Sequence, residues 1–67
     1  MNGAVISYDA RRGVGVIAPD KGAQISVHAN ELERAGFARL ADGERLSFDV
    51  KTDRALGRSF AVNLLRL

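Results

Sequence analysis

The only histidine of the chain, His28, stands two residues after Ser26, and this pair could supply a general base and a nucleophile. Residues two apart in a strand share a face, so the two side chains would be neighbours. A nucleophilic serine also needs a third group that orients the base, and no residue nearby provides one. With no cysteine and no second histidine, His28 does not complete a usual zinc site either. We therefore predict no catalytic residue, no metal site and no enzyme activity.

Two other patterns resemble reactive motifs but fit structural roles better. Gly13-Val14-Gly15 is a G-x-G, yet no Gly-Lys-Ser/Thr follows it and no helix starts there, as a phosphate-binding loop requires. We interpret it as a bent strand entry that lets another backbone approach closely. The eight carboxylates are spread over turns and polar faces, where nothing would raise a pKa for acid–base work. We expect no cofactor and no small-molecule substrate.

Binding is the chemistry that remains, and it concentrates in Arg12–Ala29, RGVGVIAPDKGAQISVHA. This stretch contains two short apolar strands joined by the turn Pro19–Gly22. Eight of the ten basic residues in the chain are arginine, which pairs with phosphates and stacks on bases. The net charge of +2 is too small to indicate a nucleic-acid partner by itself. The pattern predicts a sheet that presents one flat face to a partner.

Short segments rich in β-branched residues, separated by turn residues, predict five strands. Gly3–Tyr8, Val14–Ala18 and Gln24–His28 are joined by short loops, which indicates an antiparallel meander. Glu44–Thr52 alternates apolar and polar residues with period two, as a half-buried strand does. Arg58–Leu67 is the fifth predicted strand.

A longer connection separates the third and fourth predicted strands. Asn30–Ala35 predicts one or two helical turns, with Asn30 as the N-cap and Glu33 returning a bond to the cap residue. Gly36 is expected to end this helix. Phe37 is expected to help hold the rest of the connection against the sheet.

An open five-stranded sheet would leave two unpaired edges, and closure into a barrel removes them. We therefore predict a single all-β domain over residues 1–67, a five-stranded antiparallel OB-fold barrel with one short helical turn in the long connection. A five-stranded SH3-like barrel is the structural alternative. Leu64, Leu65 and Leu67 break the alternation of the last strand. We expect these leucines to close the barrel, with an apolar edge for a second copy as the alternative.

Length and hydropathy limit the setting in which this domain works. A chain of 67 residues builds one small core, and without cysteine no disulfide supports it. No apolar run approaches the roughly 20 residues that cross a bilayer. The first residues lack the basic start and long apolar stretch of a signal peptide. We expect a cytoplasmic protein with no membrane partner.

Two short motifs, in a match that runs from Gly3 to Leu64, resemble the bacterial cold-shock domain. Where that family reads Lys-Gly-Phe-Gly-Phe-Ile, residues 12–17 read RGVGVI, and where it reads Val-Phe-Val-His-Phe, residues 25–29 read ISVHA. The resemblance implies an OB-type barrel that binds single-stranded RNA or DNA. In the family, aromatic rings on the first three strands stack on bases and basic residues around the rim meet phosphates.

This chain departs from the family in its aromatic residues. The family's rings on the first three strands are replaced here by Ser7, Val14, Val16, Ser26 and Ala29. Only Tyr8 and His28 keep a ring on those strands, and Phe37 matches an aromatic of the long connection. Because stacking one base contributes about 1–3 kcal/mol, these replacements predict weaker binding than is typical of the family.

From the resemblance we predict that a single-stranded nucleic acid binds the face of the first three strands. The rings would stack on bases, the arginines would meet phosphates, and the valines would form an apolar floor. The predicted contact residues are Tyr8, Arg11, Arg12, Val14, Val16, Ser26, His28, Phe37 and Arg58. The alternative is that this face of small residues binds another protein or a second copy of the chain as a homodimer.

Overall fold

The computed structural model describes all 67 residues, and it contains five strands and one short helix. The elements in chain order are β1 (Asn2–Asp9), β2 (Val14–Pro19), β3 (Ile25–His28), α1 (Ala29–Ala35), β4 (Arg45–Asp53) and β5 (Arg58–Arg66). Every predicted strand is present, and its ends differ from the prediction by at most one residue.

The strands close into a barrel in the order β1-β2-β3-β5-β4, because β4 pairs back with β1. This arrangement confirms the five-stranded all-β barrel of the OB type. The prediction that the sheet is antiparallel throughout is wrong, since β3 and β5 are parallel where Ser26 pairs with Phe60. The physical reason is topological: a ring with an odd number of strands cannot alternate direction at every pairing, so closure requires a parallel pair.

The core fills the barrel with ten buried apolar residues. Phe48, Ile17 and Leu46 are the largest strand residues at its centre, each at most 1% exposed. Helix α1 contributes Leu32, which is 2% exposed, and packs mainly against β5. Each such side chain stabilises the fold by roughly 1.5–3 kcal/mol through burial, which a chain of this size needs.

The helix starts earlier than predicted. Its first residue is Ala29, and its N-cap is His28, which makes no side-chain capping hydrogen bond. The prediction that Asn30 caps the helix is therefore wrong, because β3 runs directly into α1 and leaves no turn in which Asn30 could precede it. The predicted end is confirmed: Gly36 has a φ of 81°, and its N–H donates to the carbonyl of Glu33.

A register shift in β1 sets the direction of its side chains. The pairing with β2 shifts between Val5 and Ser7, so Ile6 is an extra residue in β1. Val5 faces the core at 2% exposure, whereas Ser7 lies on the outside opposite Val16. The bulge thereby turns Ser7 outward and the following residue inward.

A second register shift, between β4 and β5, determines which leucines enter the core. Asn63 takes a left-handed backbone conformation with a φ of 54°, and its side-chain amide donates to Asp49 at 2.9 Å. Because the shift changes the alternation, Leu64 is buried. The expectation that Leu65 and Leu67 also close the barrel is wrong, since both are 65% exposed.

Two carboxylates on the outside of the barrel are held in the ionised form. Hydrogen bonds and charge from Arg45 lower the pKa of Asp20 below its ordinary value. The backbone N–H of Ala41, together with Arg66, does the same for Glu44. A carboxylate whose pKa is lowered by folding stabilises the folded state above its ordinary pKa, and this contribution is lost as the pH falls through the lowered value.

We therefore expect the thermal unfolding temperature to fall as the pH is lowered from about 5 to about 3. Asp20→Asn should show a smaller fall over that interval, because its amide does not take up a proton there. Asp42→Asn is the matched control, since Asp42 forms no ion pair. Circular dichroism melts at each pH measure the effect, and an equal fall in Asp20→Asn and the parent protein would contradict this assignment.

Candidate nucleic-acid interface

Six side chains share the outer face of β1, β2 and β3. Strand pairing places them in two rows across the three strands, Ser7, Val16 and Ser26 in one row and Asp9, Val14 and His28 in the next. Paired residues of neighbouring strands point to the same side of a sheet, so these six residues form one surface, which we call the three-strand face. Its composition is apolar and small, except for the carboxylate of Asp9 and the imidazole of His28.

Tyr8 lies beside this face but its ring is directed toward the core side. It is paired with Gly15, which is paired in turn with the buried Val27. A Cβ atom at Gly15 would lie 2.9 Å from the Cδ1 atom of the Tyr8 ring and 3.1 Å from Val27. The same Cβ would lie 2.9 Å from the carbonyl oxygen of Ser7, so the G-x-G motif permits the close backbone approach that we predicted.

Arg11 and Arg12 lie in the turn between β1 and β2, at one end of the three-strand face. Their backbone N–H groups donate to the Oδ1 atom of Asp9, at 3.0 Å and 3.3 Å. The Asp9 carboxylate therefore orders the turn, as aspartate commonly does, and forms an ion pair with neither guanidinium. Both arginines are exposed.

Arg58, the first residue of β5, reaches the three-strand face although its strand lies on the far side of β3. It borders the same groove as Arg12, Val14 and Val16. The structure thus brings together most of the predicted contact residues around one groove, with two guanidinium groups beside the two valines.

Phe37 has a different environment from the other predicted contact residues. It packs against the hydrophobic core, and the guanidinium carbon of Arg66 lies 4.4 Å from the centre of its ring. Arg66 is held in turn by Glu44 at 2.8 Å. Phe37 borders neither of the grooves on the outer face of the sheet. Its predicted stacking role therefore requires a surface that Arg66 covers in this structure.

Two residues next to the three-strand face were missed by the sequence reasoning. Phe60 of β5 is paired with Ser26, and its ring centre lies 4.9 Å from that of His28 in an edge-to-face arrangement. Lys51 of β4 is paired with Phe60 on the other side. Only the parallel pairing of β3 with β5 brings these residues to His28, and no local pattern in the sequence signals that pairing.

Three of the ten lysine and arginine side chains form salt bridges. Arg34, Arg45 and Arg66 pair with Glu31, Asp20 and Glu44 respectively. The seven that form none include the cations around the three-strand face, which are Arg11, Arg12, Lys51 and Arg58. An unpaired guanidinium or ammonium is available to a phosphate without the cost of breaking an existing pair.

Two further features concern metal binding and membrane crossing. No group of three or more histidine, cysteine, aspartate or glutamate side chains is placed to hold a metal ion. None of the helical structure is of the length and hydropathy that a membrane crossing needs.

Comparison with known proteins agrees with this geometry. The family model that matches residues 1–66 is described as the 'Cold-shock' DNA-binding domain. A probable cold shock protein of Sinorhizobium fredii is 41% identical over 63 residues, which cover 92% of this chain and 91% of the relative. Cold shock protein CspA of Rhizobium meliloti is 39% identical over 64 residues, which cover 94% of this chain and 93% of the relative. A cold shock-like protein of Bacillus cereus, CspC, is 31% identical over the full length of both chains. With a closed five-stranded barrel and a family model that spans almost every residue, the chain belongs to the cold-shock domain family of nucleic-acid-binding proteins.

Proposed function

We propose that this protein binds single-stranded RNA or DNA across the three-strand face, as an RNA chaperone or a regulator of expression. The observation that carries the proposal is the groove in which Arg12 and Arg58, both free of ion pairs, border the apolar surface of Val14 and Val16. A strand laid along this groove would place bases on the valines and phosphates near the guanidinium groups. The description of the matching family as a DNA-binding domain supports the same proposal.

The proposed binding is weak for this family, because the three-strand face holds one imidazole and no other aromatic ring. Valine contacts with a base bury apolar surface but do not replace ring stacking, which contributes about 1–3 kcal/mol per base. A net charge of +2 adds little long-range attraction. We expect a dissociation constant in the micromolar range, set mainly by the few local phosphate contacts.

Anisotropy of a labelled, mixed-sequence single strand of about ten nucleotides, at several salt concentrations, tests this proposal. The logarithm of the association constant should fall with the logarithm of salt concentration. The slope should be about −2 for three phosphate contacts, made by Arg11, Arg12 and Arg58. Arg12→Gln should make that slope shallower by about 0.7. Arg34→Gln is the matched control, because it removes the same charge from an ion-paired position on α1. An unchanged slope in Arg12→Gln would contradict the proposed placement.

The alternative function, an interface for another protein or a second copy, is tested with the same sample. Absence of binding at low salt, together with a dimer in light scattering, would favour that alternative and exclude the nucleic-acid proposal. A cytoplasmic location follows from the proposed partner and stays a prediction.

A further inference from the structure

We propose that the base-binding surface of this protein extends past β3 onto β5 and β4, with Phe60 as its principal stacking ring and Lys51 as its phosphate contact. This inference rests on the proposed function and says where on the barrel the strand is held. In this proposal the bases stack where β3 and β5 pair in parallel, and not on the three-strand face, which has few aromatic rings.

Strand pairing places Phe60 in the row from which the rings are missing. The row crosses the whole sheet: Ser7, Val16 and Ser26 are followed by Phe60 on β5 and Lys51 on β4. Phe60 is therefore at the same level of the barrel as the small residues of the three-strand face, one strand farther around. A nucleic-acid strand that crosses Val16 and Ser26 reaches the Phe60 ring next.

The neighbouring His28 gives the Phe60 ring a defined orientation. The two ring centres lie 4.9 Å apart at an interplanar angle of 65°, an edge-to-face contact of the favourable kind. Phe60 is half-buried and His28 is exposed. The pair therefore offers ring surface to a nucleotide while part of the Phe60 side chain stays buried in the protein. A ring held by its neighbour loses little conformational freedom when a base stacks on it.

The groove beside this pair has the apolar wall and the cation that a nucleotide needs. His28 and Phe60 border it together with the exposed Leu56 and with Lys51. Two carboxylates also border it, and both are engaged: Asp53 accepts hydrogen bonds from the backbone of residues 55 and 56, and Glu31 pairs with Arg34. Lys51 has no ion pair and is the cation left to meet a phosphate.

The chain contains no tryptophan, so a tryptophan at position 60 gives a site-specific signal. Phe60→Trp should bind the labelled strand at least as tightly as the parent protein, and its fluorescence should be quenched as a base stacks on the indole. Leu65→Trp is the matched control, because Leu65 is 65% exposed near the other end of the same strand. We expect no quenching in that variant.

Loss of the ring should weaken binding without loss of the fold. Phe60→Leu keeps an apolar side chain and should raise the dissociation constant about fivefold or more, the loss expected for one stacked base. Lys51→Gln should make the salt slope shallower by about 0.7. Arg45→Gln should leave the slope unchanged, because Arg45 pairs with Asp20 and neither residue borders the two grooves. Circular dichroism confirms that each variant is folded, and if Phe60→Leu unfolds, quenching in Phe60→Trp decides.

The possible results separate this inference from the proposed function. Quenching in Phe60→Trp but not in Leu65→Trp, with weaker binding of Phe60→Leu, supports both the proposed function and the relocated site. A second set of results would overturn the relocated site and leave binding on the three-strand face. In that case Phe60→Trp fluorescence is not quenched and Phe60→Leu binds with full affinity, while Arg12→Gln still makes the salt slope shallower. Absence of binding by the parent protein at low salt would overturn both.

Discussion

Replacement of Val14, Val16 and Ser26 by phenylalanine should strengthen the binding of a single strand by at least about tenfold. All three positions lie on the three-strand face, and none is fully buried, so the added rings would project toward the ligand. Each stacked ring is worth about 1–3 kcal/mol, and the gains are not additive because the rings share neighbours. Even half of the smallest summed gain, about 1.5 kcal/mol, exceeds the roughly 1.4 kcal/mol that corresponds to tenfold.

Anisotropy titrations of the triple variant and the parent protein at the same salt concentration measure this effect. Leu65→Phe provides the control for a non-specific gain from an exposed ring, since Leu65 lies away from the three-strand face beside Ser47. The control should bind as the parent protein does. An equal affinity in the triple variant and the parent protein would show that the three-strand face is not where the strand binds.

The elements of this fold could be predicted because their signals are local. Alternation in residues 44–52 and the spacing of turn residues place each strand to within one residue. Gly36 ends the helix because only a residue without a side chain adopts its φ of 81° easily. The packing role of the G-x-G could likewise be predicted, since a glycine within a strand commonly marks a close approach of another backbone.

The parts that could not be predicted depend on contacts between residues far apart in sequence. The bulge at Ile6 turns Ser7 outward and Tyr8 inward, and no residue type in β1 predicts this bulge. The ring pair of His28 and Phe60 exists because β3 and β5 meet in parallel, 34 residues apart where Ser26 pairs with Phe60. Candidate contact residues chosen by alignment to a motif therefore omit the one aromatic that the barrel supplies from elsewhere.

The same long-range contacts make Gly15→Ala one of the most damaging single changes expected in the chain. Its Cβ would lie 2.9 Å from the carbonyl oxygen of Ser7, a distance that real Cβ atoms essentially never show. That carbonyl belongs to β1, and Val27 on the other side is fully buried, so neither neighbour can move aside freely. Overpacking of this kind typically costs about 1–3 kcal/mol of the free energy of unfolding.

Such a loss is large for a domain of 67 residues, whose whole stability is roughly 3–10 kcal/mol. Urea denaturation measures the free energy of unfolding of Gly15→Ala against the parent protein. Ser26→Ala is the control, because it lies on the neighbouring strand with an outward side chain and should change stability by at most about 0.5 kcal/mol. A loss in Gly15→Ala no larger than in this control would contradict the packing described here.

A double-mutant cycle with Tyr8→Ala then tests the inward position of the Tyr8 ring. If the ring packs inward against Gly15, removing it relieves part of the overlap, so the double variant should lose less stability than the two single variants together. An outward ring on the three-strand face would have no contact with the new Cβ, and the two losses would add within about 0.5 kcal/mol. The inward result would assign Tyr8 to the support of the face and leave His28 and Phe60 as the rings available to a base.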